Sequence, residues 1–438
     1  MPGLAGKSFV AAVALTVTAC SSTATSPESS PATPPSATAP AATTPSASAQ
    51  LTAVTVTVPD GMGAAPLDVP RQAMVPAGWS MSVWARVPRA RLAAWAPDGA
   101  LLVSVPNGGQ VVKLTPTADT GRSEVLLEGL EQPHGLAFAG DTLYVAQSNQ
   151  VDAYAYRDGR AVEPRVIAAG LPDAKSPDLG GAYAHALKSV AVTPDGAVYF
   201  SIGSTGNITA ADREATPARA TIMRVPPSGG PAAPFATGVR NGTGLAVAPD
   251  GAVWTAVNNR DNVQYPVPGP DFGQVLRDYV TEHPPESVAR LTPGRELGWP
   301  FCNPDGGPAD LPLIRDVQTN ADGSQMDCAA LPPIEQSLGA HSAPLGMAFG
   351  ELPEPFGTGA LIGVHGSWNA SPPRAPEVSF FGWRDGVLGD QQTLVGGFQA
   401  DDGSRWGRPV SAVLGPDGAV YITDDYAGAV YRLAPPGR

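Results

Sequence analysis

Basic and amide side chains stand shortly before a series of recurring apolar segments in this sequence. Three of the five histidines hold such positions, and a fourth, His365, ends a later apolar run. The whole set consists of Arg91, Gln132, His134, His185, Lys188, Arg240, Asn241, His341, Ser342 and Arg408. If the segments repeat one structural unit, these side chains converge on one surface, where cations attract a planar polyanion and a neutral histidine can act as a base. The pattern therefore predicts an anion-binding site that contains a histidine base.

The recurring segments have the form strand, turn, strand. They cover residues 91–105, 135–146, 189–201, 244–256, 345–364 and 410–423. Most turn at an Asp-Gly pair, which tolerates the positive φ that a hairpin turn requires. The first four turn aspartates, Asp98, Asp141, Asp195 and Asp250, are 43, 54 and 55 residues apart, which is typical of four-stranded propeller blades. The sequence predicts an all-β, six-bladed β-propeller over residues 51–438, with a β-sandwich or a solenoid as the alternatives.

Two irregularities refine this prediction. Residues 79–87 precede the first repeat and are expected to supply the strand that closes the ring against the last blade. A gap of 103 residues between Asp250 and Pro353 predicts a large insertion in the fourth or fifth blade. Cys302 and Cys328 lie within it, and in an oxidising compartment we expect them to form a disulfide, since a metal site would need more Cys or His nearby.

The first fifty residues carry export signals. Lys7 precedes an apolar run over 9–19 that is too short to cross a bilayer but has the length of a signal-peptide core. Residues 17–20, Val-Thr-Ala-Cys, resemble the lipobox of bacterial lipoproteins. We therefore expect a lipoprotein signal peptide over 1–19, lipidation of Cys20, and a disordered Ser/Thr/Ala/Pro-rich tether over 20–50. An ordinary secretory peptide is the alternative, and both place the protein outside the cytoplasm.

Several function classes are disfavoured. A net charge of −13 with no basic block argues against nucleic acid as a partner. The sequence contains no Gly-rich phosphate loop opening a helix, no Gly-x-Ser-x-Gly elbow and no His-Glu-x-x-His motif. The pair Asp424-Asp425 ends a predicted strand, where we expect turn contacts rather than acid/base catalysis.

Five segments carry a resemblance to a known family. They cover residues 185–207, 238–247, 341–349, 365–369 and 407–428, and they occur in family order. Together they resemble the glucose/sorbosone dehydrogenase family of soluble sugar dehydrogenases that depend on pyrroloquinoline quinone (PQQ). The sorbosone-dehydrogenase-like branch is the more similar one, and the resemblance extends over about residues 79–433.

The resemblance implies a calcium-assisted PQQ cofactor above the propeller mouth. In that site His185 is the general base, and Arg240 polarises a quinone oxygen. Asn241 and Arg408 also match cofactor contacts of the family. The repeat positions of Gln132, His134, Lys188 and His341, and the neighbouring His365, make these residues further candidate cofactor contacts. Asn259 and Asp261 are the implied Ca²⁺ ligands, in a loop less acidic than the family pattern. The family's carboxylate-binding lysine has no clear equivalent, although His365 lies nearby.

The implied function is oxidation of an aldose sugar or sugar aldehyde by hydride transfer to the quinone. Electrons would then pass to an extracytoplasmic acceptor, either a cytochrome or a membrane quinone. Two alternatives remain: a non-catalytic propeller that binds a ligand or partner at its mouth, and a metal-dependent lactonase. The lactonase would require acidic or amide ligands around the axis, whereas the predicted ring is cationic.

Overall fold

A computed structural model describes residues 50–367 and 369–437 of the chain. The predicted signal peptide, Cys20 and nearly all of the predicted tether lie outside these residues. The chain divides into two units, Met1–Ala47 and Ser48–Arg438, and everything below concerns the second. None of the helices in the described part is long and apolar enough to cross a membrane.

Strands dominate the described residues. A two-stranded sheet of β1 (Leu51–Thr55) and β2 (Gln72–Pro76) comes first, followed by β3 (Ser80–Arg86). Blade 1 contains β4 (Ala93–Trp95), β5 (Leu101–Val105), β6 (Gln110–Pro116) and β7 (Gly121–Leu127). Blade 2 contains β8 (Gly135–Ala139), β9 (Thr142–Ala146), β10 (Val151–Arg157) and β11 (Arg160–Ala168). Blade 3 contains β12 (Val190–Val192), β13 (Val198–Ile202), β14 (Thr221–Val225) and β15 (Ala233–Thr237).

The second half of the ring is more elaborate. Blade 4 begins with β16 (Gly242–Val247), β17 (Val253–Val257), a short helix α1 (Arg277–Glu282) and β18 (Pro285–Leu291). An insertion follows, with β19 (Arg295–Glu296), β20 (Cys302–Pro304), β21 (Ala309–Leu311) and β22 (Leu313–Arg315), before β23 (Ile334–Ala340). Blade 5 contains β24 (Pro344–Leu352), β25 (Gly357–Val364), β26 (Glu377–Arg384) and β27 (Val387–Val395). Blade 6 contains β28 (Pro409–Leu414), β29 (Val420–Asp424) and β30 (Ala429–Ala434). Short 3₁₀ helices occur at Pro106–Gly108, Pro177–Leu179, Ala210–Arg213 and Cys328–Ala330.

The six-bladed propeller predicted from the repeats is confirmed. The first strands β4, β8, β12, β16, β24 and β28 contact one another in a closed ring, so they line the axis. The fourth strand of blade 6 is β3, which pairs antiparallel with β30 from Ser80↔Ala434 to Arg86↔Ala429. This is the predicted ring closure.

Local chemistry explains the repeated hairpins. The Oδ1 atoms of Asp98, Asp195 and Asp250 each accept a hydrogen bond from the backbone N–H two residues later, at 3.0–3.2 Å. The following glycines adopt positive φ, for example 80° at Gly99 and 90° at Gly196, which a residue with a Cβ adopts only with strain. The turn is therefore encoded by the Asp-Gly pair itself.

Apolar strand residues form clusters between neighbouring blades. Between blades 6 and 1, the ring of Trp95 meets the ring of Tyr421 edge to face at 4.9 Å and the ring of Trp84 in a tilted arrangement at 6.4 Å. Such aromatic pairs add about 1 kcal/mol each beyond the area they bury. These contacts hold the closing blade against the first one.

The insertion belongs to blade 4. It joins β18 to β23, and β21 extends blade 4 by pairing with β23, while β19 pairs in parallel with β15 of blade 3. Cys302 and Cys328 form the predicted disulfide, with their Cα atoms 5.7 Å apart.

Loops on one face of the ring differ greatly in length. Residues 203–220, 258–284 and 365–376 join the second and third strands of blades 3, 4 and 5. The equivalent loops of blades 1, 2 and 6 are only 106–109, 147–150 and 425–428. The loops on this face are therefore long over blades 3–5, where we call them the high wall, and short over blades 1, 2 and 6.

Candidate active site

A polar cavity of about 210 Å³ opens beneath the high wall. Its lining consists of His185, Arg240, Asn241, Asn258, Asn259, Asp261, Glu286, His341, Ala343, Gly366, Ser367 and Asn369. The residues that precede the first strands of blades 3, 4 and 5 meet here, as the repeat pattern predicts. Long loops of the same blades supply the remainder.

His185 is held as a neutral base. Its Nδ1 lies 2.9 Å from the carbonyl oxygen of Ser204, which can only accept, so Nδ1 carries the proton and Nε2 keeps a lone pair. Burial, together with the nearby charge of Arg240, lowers the pKa of His185 to about 3. No protein group among the described residues hydrogen-bonds Nε2. The backbone approaches closely here, since a Cβ on Gly203 would lie 2.6 Å from the Cβ of His185.

Arg240 brings a positive charge to the cavity and pairs directly with none of the carboxylates that the structure describes. Its Nε and Nη2 donate to the carbonyl and Oδ1 oxygens of Asn207 at 3.3 and 3.1 Å. Its Nη1 donates to the carbonyl oxygens of Asn258 and Asn259 at 3.1 and 2.8 Å. Four of the five guanidinium N–H groups are thus used to fix the side chain, and one on Nη2 remains for a ligand oxygen. Burial lowers the pKa of Arg240, but a guanidinium stays charged in proteins.

Asp261 and His341 form a pair across the cavity. His341 donates from Nε2 to the carbonyl of Val280 at 2.6 Å, and its Nδ1 lies 3.5 Å from Oδ1 of Asp261. Burial alone would lower the pKa of His341, but the Asp261 and Val280 contacts outweigh it and raise the pKa above its usual value. The Asp261 backbone is fixed in turn, because its N–H donates to Oδ1 of Asn207 at 2.8 Å.

Glu286 is a cavity residue that the sequence argument missed. It is 6% exposed, its Oε2 accepts the backbone N–H of Asn259, and burial raises its pKa to about 8. It lies in β18, a third strand, where the repeat register gives no expectation. The available signal was the one acidic residue of this strand, whose sequence is PESVARL.

A second cluster lies beside the cavity, between blades 5, 6 and 1. Nε2 of His365 is 2.8 Å from Oδ1 of Asp425, and Nη1 of Arg91 is 2.9 Å from Oδ2. Although burial opposes ionisation, these contacts lower the pKa of Asp425 to about 2. Arg408 donates from Nε and Nη2 to the carbonyls of His365 and Gly366 at 3.0 and 3.4 Å, and its Nη1 meets no acceptor among the described residues. Of the pair Asp424-Asp425, Asp424 makes turn contacts, accepting the N–H groups of Tyr426 and Ala427 at 2.9 and 2.8 Å, whereas the Asp425 carboxylate joins this cluster.

The remaining predicted contacts lie away from the cavity. Lys188 is fully buried, and its Nζ donates to the carbonyls of Ser148, Pro172 and Ala186. Gln132 lines a separate open depression between blades 1 and 2. His134 is also fully buried, and its Nδ1 is 3.3 Å from the carbonyl of Lys188. The backbone of Ser342, the last of the ring residues, accepts the N–H of Gly366 at 3.0 Å.

The donors in the cavity fit an anionic quinone. Arg240 and the Asn241 side chain in the cavity, and Arg408 beside it, keep polar groups free of partners among the described residues, as the recognition of carboxylate and carbonyl oxygens requires. Calcium takes six to eight oxygen ligands. Asn259 and Asp261 offer oxygens, but the described residues contain no group of three His, Cys, Asp or Glu side chains arranged to hold a metal ion. Cofactor oxygens and waters would therefore have to supply much of a calcium shell.

His134 predicts a specific acid sensitivity. Burial lowers its folded-state pKa to about 3 from 6.5, so below pH 6.5 the unfolded chain binds a proton that the folded chain does not. Its contribution is fully present above pH 6.5 and is lost as the pH falls toward 3. Lowering the pH from 7 to 5 therefore reduces the free energy of unfolding by about 2 kcal/mol through this one histidine. We expect His134→Asn to reduce the wild-type loss by that amount in denaturant titrations at both pH values, and equal losses would contradict the assignment.

Comparison with known proteins agrees with this geometry. The family model described as TrAA12-like matches residues 73–435. A curated relative, the pyrroloquinoline quinone-dependent pyranose dehydrogenase of Coprinopsis cinerea, is 25% identical over 283 residues, covering 53% of this chain and 37% of that protein. The chain spans well under half the length of the curated relatives that it matches.

Solved structures share the fold. The holo PQQ domain of pyranose dehydrogenase from Coprinopsis cinerea is 21% identical with a TM-score of 0.69, covering 83% of this chain and 97% of that one. The PQQ-bound aldose sugar dehydrogenase of Streptomyces coelicolor is 16% identical with a TM-score of 0.53, covering 82% and 99%. The resemblance to quinone-dependent sugar dehydrogenases is thus confirmed, without support for the sorbosone branch. Because the family model extends over nearly the whole propeller, the chain belongs to the TrAA12-like family.

Proposed function

We propose that this protein is a PQQ-dependent dehydrogenase that oxidises an aldose sugar or a sugar aldehyde. The observation that carries the proposal is the pairing of a neutral His185, whose Nε2 is free, with the charged Arg240 in one cavity. Oxidation of a sugar at C1 requires a base for the hydroxyl proton and a cation near the oxygen that gains negative charge. The cavity lining contains both.

Each of these residues has a distinct task. Nε2 of His185 takes the proton of the C1 hydroxyl, or of an aldehyde hydrate, while Ser204 holds the ring through Nδ1. The spare N–H of Arg240 would stabilise negative charge on a cofactor oxygen. A bound quinone supplies the two-electron acceptor for the hydride. Asn241, His341, His365 and Arg408 would contact the cofactor, and Asn259, Asp261 and Glu286 would face any calcium ion.

The direct test is titration of the purified protein with PQQ and Ca²⁺. Cofactor absorbance and reduction of a small dye over a panel of aldoses and sugar aldehydes are followed together. We expect saturable binding and turnover of at least one sugar. No binding at micromolar cofactor with millimolar calcium would favour the second candidate, a non-catalytic propeller, which the small number of protein ligands for calcium supports.

Arg408→Ala is expected to weaken cofactor binding rather than slow the chemical step. Loss of one charge-assisted contact of about 1.5–3 kcal/mol corresponds to roughly 10- to 100-fold in affinity. Cofactor titration would measure this, with turnover at saturating PQQ retained. Arg432→Ala is the matched control, since Arg432 lies in blade 6 like Arg408 but donates to Asp417 at 2.8 and 2.9 Å, away from the cavity. Equal affinities for wild type and Arg408→Ala would remove Arg408 from the cofactor site.

The setting of the enzyme is part of the proposal. Lipidation at Cys20 and a tether over 20–50 would keep the propeller at the outer face of the cell membrane. A cytochrome or quinone there would take the electrons, and the anchor would raise its local concentration. The sorbosone-like branch makes sugar aldehydes the first substrates to try.

A further inference from the structure

The loop between β17 and β18 stands at the mouth of the cavity. Asp261 near the start of this loop lines the cavity, and so does Glu286, which lies two residues beyond its end in β18. Near its far end, the carbonyl of Val280 in α1 accepts the Nε2–H of His341 at 2.6 Å. The two ends of this loop therefore adjoin the proposed redox site.

The tip of this loop exposes three apolar side chains, which we call the rim patch: Val267, Phe272 and Val275. They are 51%, 46% and 54% exposed and make up three of the eight large hydrophobic side chains that are exposed among the described residues. A group of apolar side chains held together in water marks an interaction surface more often than a single one does.

The loop is internally ordered. The N–H of Gly273 donates to the carbonyl of Tyr265 at 3.0 Å, and the N–H of Tyr265 donates to the carbonyl of Gln274 at 2.8 Å. The N–H of Gln274 in turn donates to the carbonyl of Asp271 at 3.0 Å. The ring of Tyr265 also meets that of Tyr279 in α1 edge to face at 5.2 Å. Because the backbone is already fixed, a partner would lose little ordering entropy when it binds the rim patch.

Acidic residues lie close to the rim patch along the chain. Asp271, Asp278 and Glu282 are exposed, and no ion pair involves them within the described part of the chain. Arg277 is the one basic residue of residues 262–282, and the protein as a whole carries −13. Apolar contacts with an acidic rim are complementary to a partner that has an apolar patch within a basic rim.

The proposed reaction also requires a partner at this place. Oxidation of one sugar at C1 releases two electrons and two protons. The electrons must leave through the cavity mouth, one at a time to two molecules of a one-electron acceptor, while the protons pass to solvent. Interfaces of such redox encounters are small, below about 1,200 Å², which suits a patch of three side chains.

We propose that the rim patch is the docking surface for a protein electron acceptor whose exposed cofactor edge is surrounded by basic residues. This inference rests on the proposed function, and it names the surface through which that function delivers its electrons.

Binding can be tested without loaded enzyme. The probe is a c-type cytochrome of high isoelectric point, titrated calorimetrically into cofactor-free protein at low ionic strength. We expect Phe272→Asp/Val275→Asp to weaken binding about tenfold, and Asp278→Lys to weaken it while flattening its salt dependence. The matched control is Val387→Asp, which places the same charge on a 63% exposed valine in the outer strand β27 of blade 5. Equal affinities for wild type and both rim variants would overturn the proposal.

Kinetics separates this inference from the proposed function. In the holoenzyme, the rim variants should slow reduction of the basic cytochrome about tenfold and leave sugar-driven reduction of a small dye unchanged. Absence of dye reduction in the wild type would refute the proposed function. The binding experiment does not depend on turnover, so it would still show whether the rim patch binds the basic cytochrome. A raised KM for sugar in the dye assay, or altered self-association in sedimentation, would assign the patch to substrate or to a second copy and would overturn the inference.

Discussion

Replacement of His185 by alanine should reduce sugar turnover about 10³-fold while cofactor affinity changes little. The basis is the arrangement at Ser204, where the carbonyl holds Nδ1 as a donor and leaves Nε2 as the proton acceptor. General bases typically contribute 10²- to 10⁴-fold to a rate. Dye reduction at saturating sugar and PQQ measures the loss, and cofactor absorbance reports affinity independently.

The control for this substitution is His283→Ala. His283 lies on the blade 4 loop but outside the cavity lining, where its ring stacks on Tyr279 at 4.1 Å. Its replacement should leave turnover close to the wild-type value. If His185→Ala retained wild-type turnover and His283→Ala did not, the base would have been placed on the wrong histidine.

The low folded-state pKa of His185 adds a dependence on pH. A base that stays neutral down to about pH 3 does not need to lose a proton at pH 5 or 6. Protonation of His185 should therefore cause no fall in kcat/KM between pH 7 and 5. Any fall that is observed in this range should persist in a His185 variant.

Asp316→Ala should lower the unfolding free energy by roughly 3–5 kcal/mol, because it leaves a buried arginine without its carboxylate. Arg260 and Asp316 have side chains 2% and 1% exposed, with Nη1 and Oδ2 2.7 Å apart. Asp316 also accepts the backbone N–H groups of Gln318 and Thr319 at 2.9 and 3.0 Å. The amide of Asn303 and the hydroxyl of Thr319 donate to the same carboxylate at 2.8 and 3.1 Å, so the single change removes an ion pair and four further hydrogen bonds from the interior.

The consequence should reach the cavity. Arg260 stands between Asn259 and Asp261, so the ion pair ties their loop to the disulfide-closed insertion. We expect weaker cofactor binding along with the lower denaturation midpoint in guanidinium titrations. The double change Arg260→Met/Asp316→Leu should recover part of the stability, since a buried pair replaced by apolar residues leaves no isolated charge.

An exposed ion pair provides the comparison. Arg157 and Glu163 on blade 2 have side chains that are 62% and 65% exposed. Arg157→Ala should therefore lower the free energy of unfolding by less than about 1 kcal/mol. If Asp316→Ala lowers the free energy of unfolding no more than Arg157→Ala does, the insertion does not stabilise the loop that contains Asn259 and Asp261.

The sequence contained enough information for the architecture and for half of the cavity. Every repeat places its first strand at the same depth, so residues that precede these strands, such as His185, Arg240 and His341, had to meet at one end of the axis. The repeat fixes a backbone position but not the direction of a side chain. Lys188 and His134 hold equivalent positions, yet both side chains turn into the interior, where Lys188 meets three carbonyl oxygens.

Residues outside the repeat could not be predicted in this way. Glu286 lies in a third strand, and Asp316 lies in the insertion, for which the other blades offer no equivalent. Their roles follow from contacts between segments distant in the chain, such as the 2.7 Å bond between Arg260 and Asp316. Pattern and spacing carry no information about such contacts.

The pairing of β3 with β30 has a consequence for biosynthesis. One blade combines a strand from the beginning of the propeller with three from its end, so the ring stays open until residues 429–434 are available. A ribosome or translocation channel delivers the chain from its N-terminus, which means that the earlier blades must wait with an unpaired edge. The six residues of β30 therefore decide whether the blades synthesised before them close into a finished propeller.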